Sequence, residues 1–348
     1  MLGLIQEGVM LQIEFEERLG AIVGASECMH KLYRQVEQAG PSAASVLLVG
    51  ETGTGKELVA RALHQRSPRK SKAYVAVNCA AMPENLVESE LFGHEKGAFT
   101  GASNRTAGYF EQANRGTLFL DEISAMPMSQ QAKLLRALQE GTVRRLGSGT
   151  ETPVDTRVIA AMNVAPEKAM EEGRLRTDLF YRLSVFTIEV PPLRERPGDA
   201  LLLARHFASE FAKAQDRPPL RIDSEAARAL ASYPWPGNVR ELRNAIQRGV
   251  ILAKDGLLTL GELPAALSQR SEAAAESETP ATPDVPAVEI AIPGMTVEEV
   301  KRRLIVRTLE ATGSISEAAR KLGISSRTIY NKMREWNLSP ESFSGGRV

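Results

Sequence analysis

An α/β fold, a parallel sheet sandwiched by helices, is predicted for the first half of the chain. An all-α domain and a second compact all-α unit are predicted to follow it. Two observations predict this. Between about 21 and 188, apolar strand-length runs (SVLLVG, AYVAVNC, GTLFLDE, TRVIAAMN and VFTIEV) alternate with helical patterns such as KELVARALHQR and SQQAKLLRALQEG. Strands and helices in alternation build a parallel sheet covered on both faces. From about 189 to 268 only helical periodicity remains, in ALLLARHFASEFAKA, SEAARALASY and GNVRELRNAIQRGVILA.

The 348 residues suffice for two or three domains, each with its own core. Because 43 Lys and Arg balance 43 Asp and Glu, any nucleic-acid or membrane signal has to be local. Cys28 and Cys79 match no metal or disulfide spacing, which fits a reducing, cytoplasmic setting and two buried small apolar side chains. The longest apolar runs are strand-length, so no membrane span is expected, and no basic start with an apolar block marks a signal peptide. Residues 1–20 read as a short, weakly patterned lead. Residues 269–294, around AAAESETPATPDVPAV, read as a flexible linker, because Pro, Ala, Ser, Thr and Glu crowd out bulky apolar side chains. A helical unit at 295–338 and a tail at 339–348 complete the chain.

The strand SVLLV runs into GETGTGKE and then a helix, which sets Gly50, Gly53, Gly55 and Lys56 at phosphate-loop spacing. The candidate nucleotide-binding residues are Gly50, Glu51, Thr52, Gly53, Thr54, Gly55, Lys56 and Glu57. Such a loop turns successive backbone amides toward phosphate oxygens, the helix start adds its positive end, and Lys56 reaches the β- and γ-phosphates. Glu57 departs from the general pattern, which has Ser or Thr there to hold magnesium. A second half-site follows 65 residues after Lys56, where the strand TLFLDE delivers Asp121 and Glu122. Asp121 is placed to hold a magnesium ion, and Glu122 to polarise a water for attack on the γ-phosphate. The pair makes the chain an NTPase candidate rather than a passive nucleotide binder.

The stretch GAFTGA at 97–102 poses a different problem, since Phe99 sits where no helix or strand period would bury it. Gly97 and Gly101 permit a sharp, hairpin-like excursion, Ala98 and Ala102 keep it slim, and Thr100 adds a hydroxyl. As a lone hexapeptide the stretch reads as a loop packing its own phenylalanine; with a nucleotide site on both sides of it in the sequence, an aromatic ring held in solvent suits a binding anchor.

Near the C-terminal end, SEAARKLGISSRTIYNKMREW carries Ala318, Ala319 and Leu322 on a short helix, a turn at Gly323, and a second helix with Ile329 and Met333 facing back. Small residues permit close helix crossing, as in a helix-turn-helix. From 295 to 338 nine Lys or Arg stand against five Glu, a net charge of +4 in a neutral chain. That is the electrostatic footprint of phosphate contact. Ser325, Ser326, Arg327, Thr328, Asn331 and Lys332 are the polar candidates for groove contact with double-stranded DNA, and Arg327 and Asn331 are the candidates for reaching bases.

Taken in order and spacing, GETGTGKE, ELFGHEKGAFTGA, GTLFLDEI, FYRLSVFTIEVPPLRER and YPWPGNVRELRN resemble the AAA+ domain of the bacterial enhancer-binding proteins that activate sigma-54 RNA polymerase. The resemblance covers about 21 to 255, and the last helical unit resembles that family's Fis-type DNA-binding domain. It implies an AAA+ P-loop NTPase with an all-α lid, using ATP and Mg2+, in which a glutamate at position 57 is usual. It also implies that Asn78 contacts Glu122 and switches it between idle and catalytic positions; as a lone residue at a strand end, an asparagine is more often a cap. Arg176 and Arg182 match arginine fingers supplied to a neighbouring subunit's nucleotide. Six residues apart, they fall on different faces of a continuous helix, so one of them can instead be structural. Arg240 matches the lid arginine that senses phosphates, and Asn163 falls at the first sensor, where Met162 replaces the family's common threonine. Gly97, Ala98, Phe99, Thr100, Gly101 and Ala102 form the tip that contacts sigma-54.

The implied partners are sigma-54 RNA polymerase holoenzyme, enhancer DNA, and further copies of the chain. The copies would pair as a dimer through TVEEVKRRLIVRTLEATG and assemble as a hexameric ring when active. Most members carry an N-terminal sensory domain, so the short lead leaves control to a separate regulatory protein in trans, to expression level or to an upstream segment. The competing readings are a DNA-binding regulator that uses nucleotide only to set its oligomeric state, and a chaperone-like unfoldase.

Overall fold

The computed structural model describes residues 18–218, 220–253, 256–267, 297–312, 314–322 and 326–336. Two compact units divide between Glu278 and Thr279. The sequence regions 269–294 and 339–348 lie outside the described residues, as do residues 1–17. Arg18–Leu19 pairs antiparallel with Ile22–Val23, so the predicted boundary at 20 cuts a small hairpin. Strands of two residues are too short to show a period.

The first unit is built on five strands, β1 (Val46–Val49), β2 (Tyr74–Asn78), β3 (Thr117–Asp121), β4 (Arg157–Met162) and β5 (Phe186–Glu189). They are all parallel, in the order β5-β1-β4-β3-β2. Every residue of β4 is buried, as expected of a strand with helices on both faces. Successive side chains divide between two cores. Val46, Leu48, Phe119, Ile159 and Ala161 face one core, with Met29, Leu32 and Val36 of α1 (Glu27–Ala39) and Val59 and Leu63 of α2 (Lys56–Gln65). Leu47, Leu118, Leu120, Val158 and Ala160 face the other. Val87 and Leu91 of α3 (Glu84–Phe92), Leu134 of α4 (Met128–Glu140) and Leu179 and Leu183 of α5 (Thr177–Leu183) close it. Arg157, the first residue of β4, is buried, and its guanidinium donates to the carbonyls of Ala39 and Gly40, both at 2.8 Å, at the end of α1. A cation there satisfies carbonyls that have no partner within the helix.

The lid packs α6 (Asp199–Ala214), α7 (Ser224–Ser232) and α8 (Asn238–Leu252) around Leu203, Phe207, Leu230, Trp235, Leu242 and Ile246. One exception to the all-helical expectation is a parallel pairing of Arg221–Ile222 with Leu257–Leu258. The buried Asp199 carboxylate accepts hydrogen bonds from the Ala25 and Ser26 amides and the Ser26 hydroxyl, tying the lid to the segment before α1. Cys79 is buried as expected, with its thiol pushed up to about 12 by burial. Cys28 is only half-buried, because its sulfur sits at the surface against the carbonyl of Glu195.

The second unit contains α9 (Val297–Thr312), α10 (Ile315–Leu322) and α11 (Ser326–Glu335) around Ile305, Leu309, Ala318, Ala319, Ile329 and Met333. Among the described residues no helix is long and apolar enough to cross a membrane.

Candidate active site

The loop between β1 and α2 ends on Gly55, whose φ of +100° is open to glycine and strained for other residues. Gly53, at φ +82°, has no room for a side chain either, since a Cβ there would stand 2.4 Å from the carbonyl oxygen of Gly237 in the lid. The phosphate loop is therefore pressed directly onto the start of α8. Lys56 is buried, and its Nζ donates to the carbonyls of Gly50 at 2.7 Å and Glu51 at 3.1 Å. Burial pushes its pKa down, and Asp121 and Glu122 oppose that shift.

Asp121 ends β3, and its Oδ1 accepts the Glu122 amide at 3.0 Å. Glu122 follows at φ +54°, left-handed backbone that is rare outside glycine and concentrated at functional sites. A cleft of about 370 Å³ is lined by Thr52, Gly53, Gly55, Lys56, Glu57, Asp121 and Glu122 from the sheet side and by Val239, Arg240, Arg243 and Asn244 from the lid. The structure thus brings Lys56, Asp121, Glu122 and Arg240 to one cavity. Asn163 stands beside it, with Nδ2 donating to Thr52 Oγ1 at 3.4 Å, and the buried Met162 supplies its carbonyl to the Gly50 amide. Glu57, at the exposed rim of the cleft, pairs with Arg61 at 2.9 Å.

Among the described residues no group of three or more His, Cys, Asp or Glu is arranged to hold a metal. A single carboxylate opposite a lysine nevertheless fits magnesium, which takes most of its ligands from phosphate and water.

Two arginines and an asparagine sit differently from the simplest reading. Arg176 has extended backbone and caps α5 from outside, so it does not share a continuous helix with Arg182. Its guanidinium is held by Asp178 at 2.7 Å and its amide by Gln131 Oε1 at 2.9 Å. Arg182, in the last turn of α5, donates to the Leu138 carbonyl at 2.6 Å. Neither is among the residues lining the cleft. Asn78 stands opposite Asp121 in the sheet register. Its Oδ1 accepts the amides of Ala80 at 2.9 Å and Ala81 at 3.2 Å, which is the capping geometry.

Sequence reasoning missed the residues that grip the loop from behind. Arg194 reaches Glu51, Arg196 donates to the carbonyls of Thr54 and Pro191, and Asn238 reaches both Glu51 and Thr52. The only signal for them lay inside PPLRER and GNVREL, as polar residues with no visible partner. A narrow slot of about 60 Å³ beside Gly55 was also missed. Ile22, Val23, Leu58, Leu203, Phe207 and Val239 line it, and these come from segments too far apart in sequence to be associated by pattern.

The GAFTGA loop stands on a two-stranded stem, Gly93–His94 against Thr106–Ala107. Gly97 at φ +82° and Gly101 at φ +104° make the reversal, closed by the Gly97 amide on the Ala102 carbonyl at 2.8 Å. Ala98 and Thr100 belong to the exposed or half-exposed tip, whereas Ala102 is buried. Phe99 is not held free in solvent: it is 39% exposed, and its ring meets His94 edge-on at 5.1 Å. The stem histidine gives the ring a resting place that the hexapeptide alone does not reveal. Arg145, from a neighbouring hairpin, pairs with Glu95 at 2.9 Å and with Glu111, anchoring the base of the loop.

On α11 the buried Ile329 and Met333 leave Arg327, Thr328 and Asn331 exposed. Ser326 begins the helix half-buried. Lys332 is half-buried, 3.0 Å from Glu335 and over the Trp336 ring. Ser325 and the turn at Gly323 lie outside the described residues.

Comparison with known proteins agrees with this architecture. The sigma-54 interaction domain matches residues 22–189, the AAA+ ATPase lid domain residues 194–280, and the bacterial regulatory protein Fis family residues 296–336. The chain is 44% identical to nitrogen fixation protein AnfA of Azotobacter vinelandii, over 93% of this chain and 58% of that protein. It is 43% identical to the transcriptional regulatory protein FlbD of Caulobacter vibrioides, over 89% of this chain and 69% of FlbD. The crystal structure of NtrX from Brucella abortus in complex with ATP is similar with a TM-score of 0.66 and 31% identity, covering 94% of this chain and 73% of NtrX. The chain spans about half the length of the first curated relatives it matches. Matched in order by a sigma-54 interaction domain, an AAA+ lid and a Fis-type helix-turn-helix, the chain belongs to the family of sigma-54-dependent transcriptional activators.

Proposed function

We propose that the chain is an ATP-driven activator that binds enhancer DNA through α11 and remodels the closed sigma-54 RNA polymerase promoter complex into an open one. The observation that carries this is the continuity between the cleft and the GAFTGA loop. Asn78 stands opposite Asp121, its cap leads into α3, and α3 runs straight into the stem of the loop at Gly93. A change at the γ-phosphate therefore has a short covalent and packed route to Phe99.

In the reaction, the loop amides and Lys56 bind the β- and γ-phosphates, and Glu122 orients the attacking water and accepts its proton. The apolar slot at Ile22, Val23 and Phe207 takes the base, and Arg240 reads the phosphates from the lid. A magnesium ion held by Asp121 would neutralise charge on the phosphates. Arg176 and Arg182 act on a neighbouring subunit's nucleotide, so turnover requires assembly, in a hexameric ring, and their present partners Asp178 and Leu138 are exchanged for phosphate on docking. Such a protein works in the cytoplasm, on double-stranded DNA. Open complexes at a sigma-54 promoter, detected by strand reactivity to permanganate, are expected with ATP and absent with a non-hydrolysable analogue. Opening without hydrolysis would defeat the motor reading.

A further inference from the structure

The phosphate loop contains an acidic residue directly after its first glycine, Glu51. A carboxylate there would repel the phosphates that the loop is shaped to bind. The structure disposes of it on the far side. Glu51 lines a separate cleft of about 620 Å³ with Val190, Pro192 and Arg194, while its neighbours Thr52, Gly53, Gly55 and Lys56 line the nucleotide cleft. Arg194 grips the carboxylate with both arms of its guanidinium, at 2.8 and 2.6 Å. Asn238 adds a third donor, with Nδ2 3.1 Å from Glu51 Oε2 and 3.1 Å from the Thr52 carbonyl, while its Oδ1 accepts the Leu193 amide at 2.8 Å.

Asn238 is fully buried at φ +54°, so backbone strain and three hydrogen bonds are concentrated on the residue that opens α8. The hydrogen bonds from Arg194 and then Asn238 bring the Glu51 pKa down to about 2, which keeps it charged. Its main-chain carbonyl in turn receives Lys56 Nζ and the Thr54 hydroxyl. Whatever turns Glu51 therefore moves the loop and its lysine.

We propose that Arg194 and Asn238 are positioning residues that hold the Glu51 carboxylate away from the bound nucleotide and couple the start of α8 in the lid to the phosphate loop. This rests on the reading of the cleft as a nucleotide site. Arg194 keeps 44% of its side-chain surface open, so its loss removes little packing. Equilibrium titration of the full chain with a fluorescent ATP analogue tests it. Arg194→Ala is expected to bind about tenfold more weakly, in line with a hydrogen bond to a charged group. Adding Glu51→Gln to Arg194→Ala is expected to restore affinity to within about threefold of the parent, because the charge that needed holding is gone. Lys56→Ala is the reference: if it binds as well as the parent, the nucleotide reading itself fails. If Lys56→Ala loses binding while Arg194→Ala keeps it, or if the double variant stays as weak as Arg194→Ala, the positioning role is overturned.

Discussion

The chemistry proposed for the cleft rests on Glu122. It follows Asp121 out of β3, and its left-handed backbone turns the chain sharply at the point where the cleft opens. Lys56 and Glu122 line the same cavity, and in the proposed reaction they act on different atoms of the nucleotide, so their loss should separate two steps. Lys56→Ala is expected to abolish ATP binding. Glu122→Ala is expected to bind ATP normally and turn it over slower by a factor on the order of a thousand, the scale of general-base loss. Nucleotide titration together with steady-state phosphate release checks both, and normal turnover by Glu122→Ala would remove it from the catalytic role.

These residues were legible in the sequence because each follows an apolar strand within a motif of fixed spacing, Glu122 directly after β3 and Lys56 at the end of the loop after β1. Arg194, Arg196 and Asn238 were not legible, since what defines them is a partner more than 140 residues away, in the loop they hold. Asn78 lies between these cases: a cap is the plain reading of an asparagine at a strand end, and the structure gives it capping bonds, whereas the contact with Glu122 comes only from the resemblance.

At the scale of elements, the strands and major helices were readable from period alone, because sheet burial on both faces leaves unbroken apolar runs. The short pieces were not, and neither was the break before α5. That break matters, because it leaves Arg176 on extended backbone and Arg182 on the helix, pointing from two different supports. If α5 supplies its arginines to a neighbour, a defect in Glu122 and a defect in Arg182 belong to different sites and can complement. Each variant alone is expected to be inactive. Mixing Glu122→Ala with Arg182→Ala in equal amounts should recover about a quarter of parental turnover, since random assembly pairs an intact Glu122 with an intact neighbouring arginine in that share of interfaces. A mixture no more active than its components would place Arg182 in its own subunit's site or in a structural role.

For the whole molecule, the question is how a cavity of about 370 Å³ acts on a distant partner. The packed route through Asn78 and α3 ends at a slim loop with glycine at both bends, and Phe99 rests lightly on His94. A ring with that little holding it can exchange His94 for a partner at small cost, whereas an aromatic in a core could not. The hexapeptide alone reads as a loop packing its own phenylalanine and becomes an anchor only beside the nucleotide site and the family resemblance; neither reading places His94 under the ring, because the stem that cradles it forms from residues on both sides of the hexapeptide. In the proposed reading hydrolysis and contact are separate parts joined by α3, and separating them experimentally tests that reading most directly. The measurement is ATP turnover and sigma-54 promoter opening, side by side, for Phe99→Ala. Turnover within about twofold of the parent with promoter opening lost is the predicted result, as befits removal of a binding hot spot remote from the reacting atoms. Promoter opening retained at the parental level would contradict it.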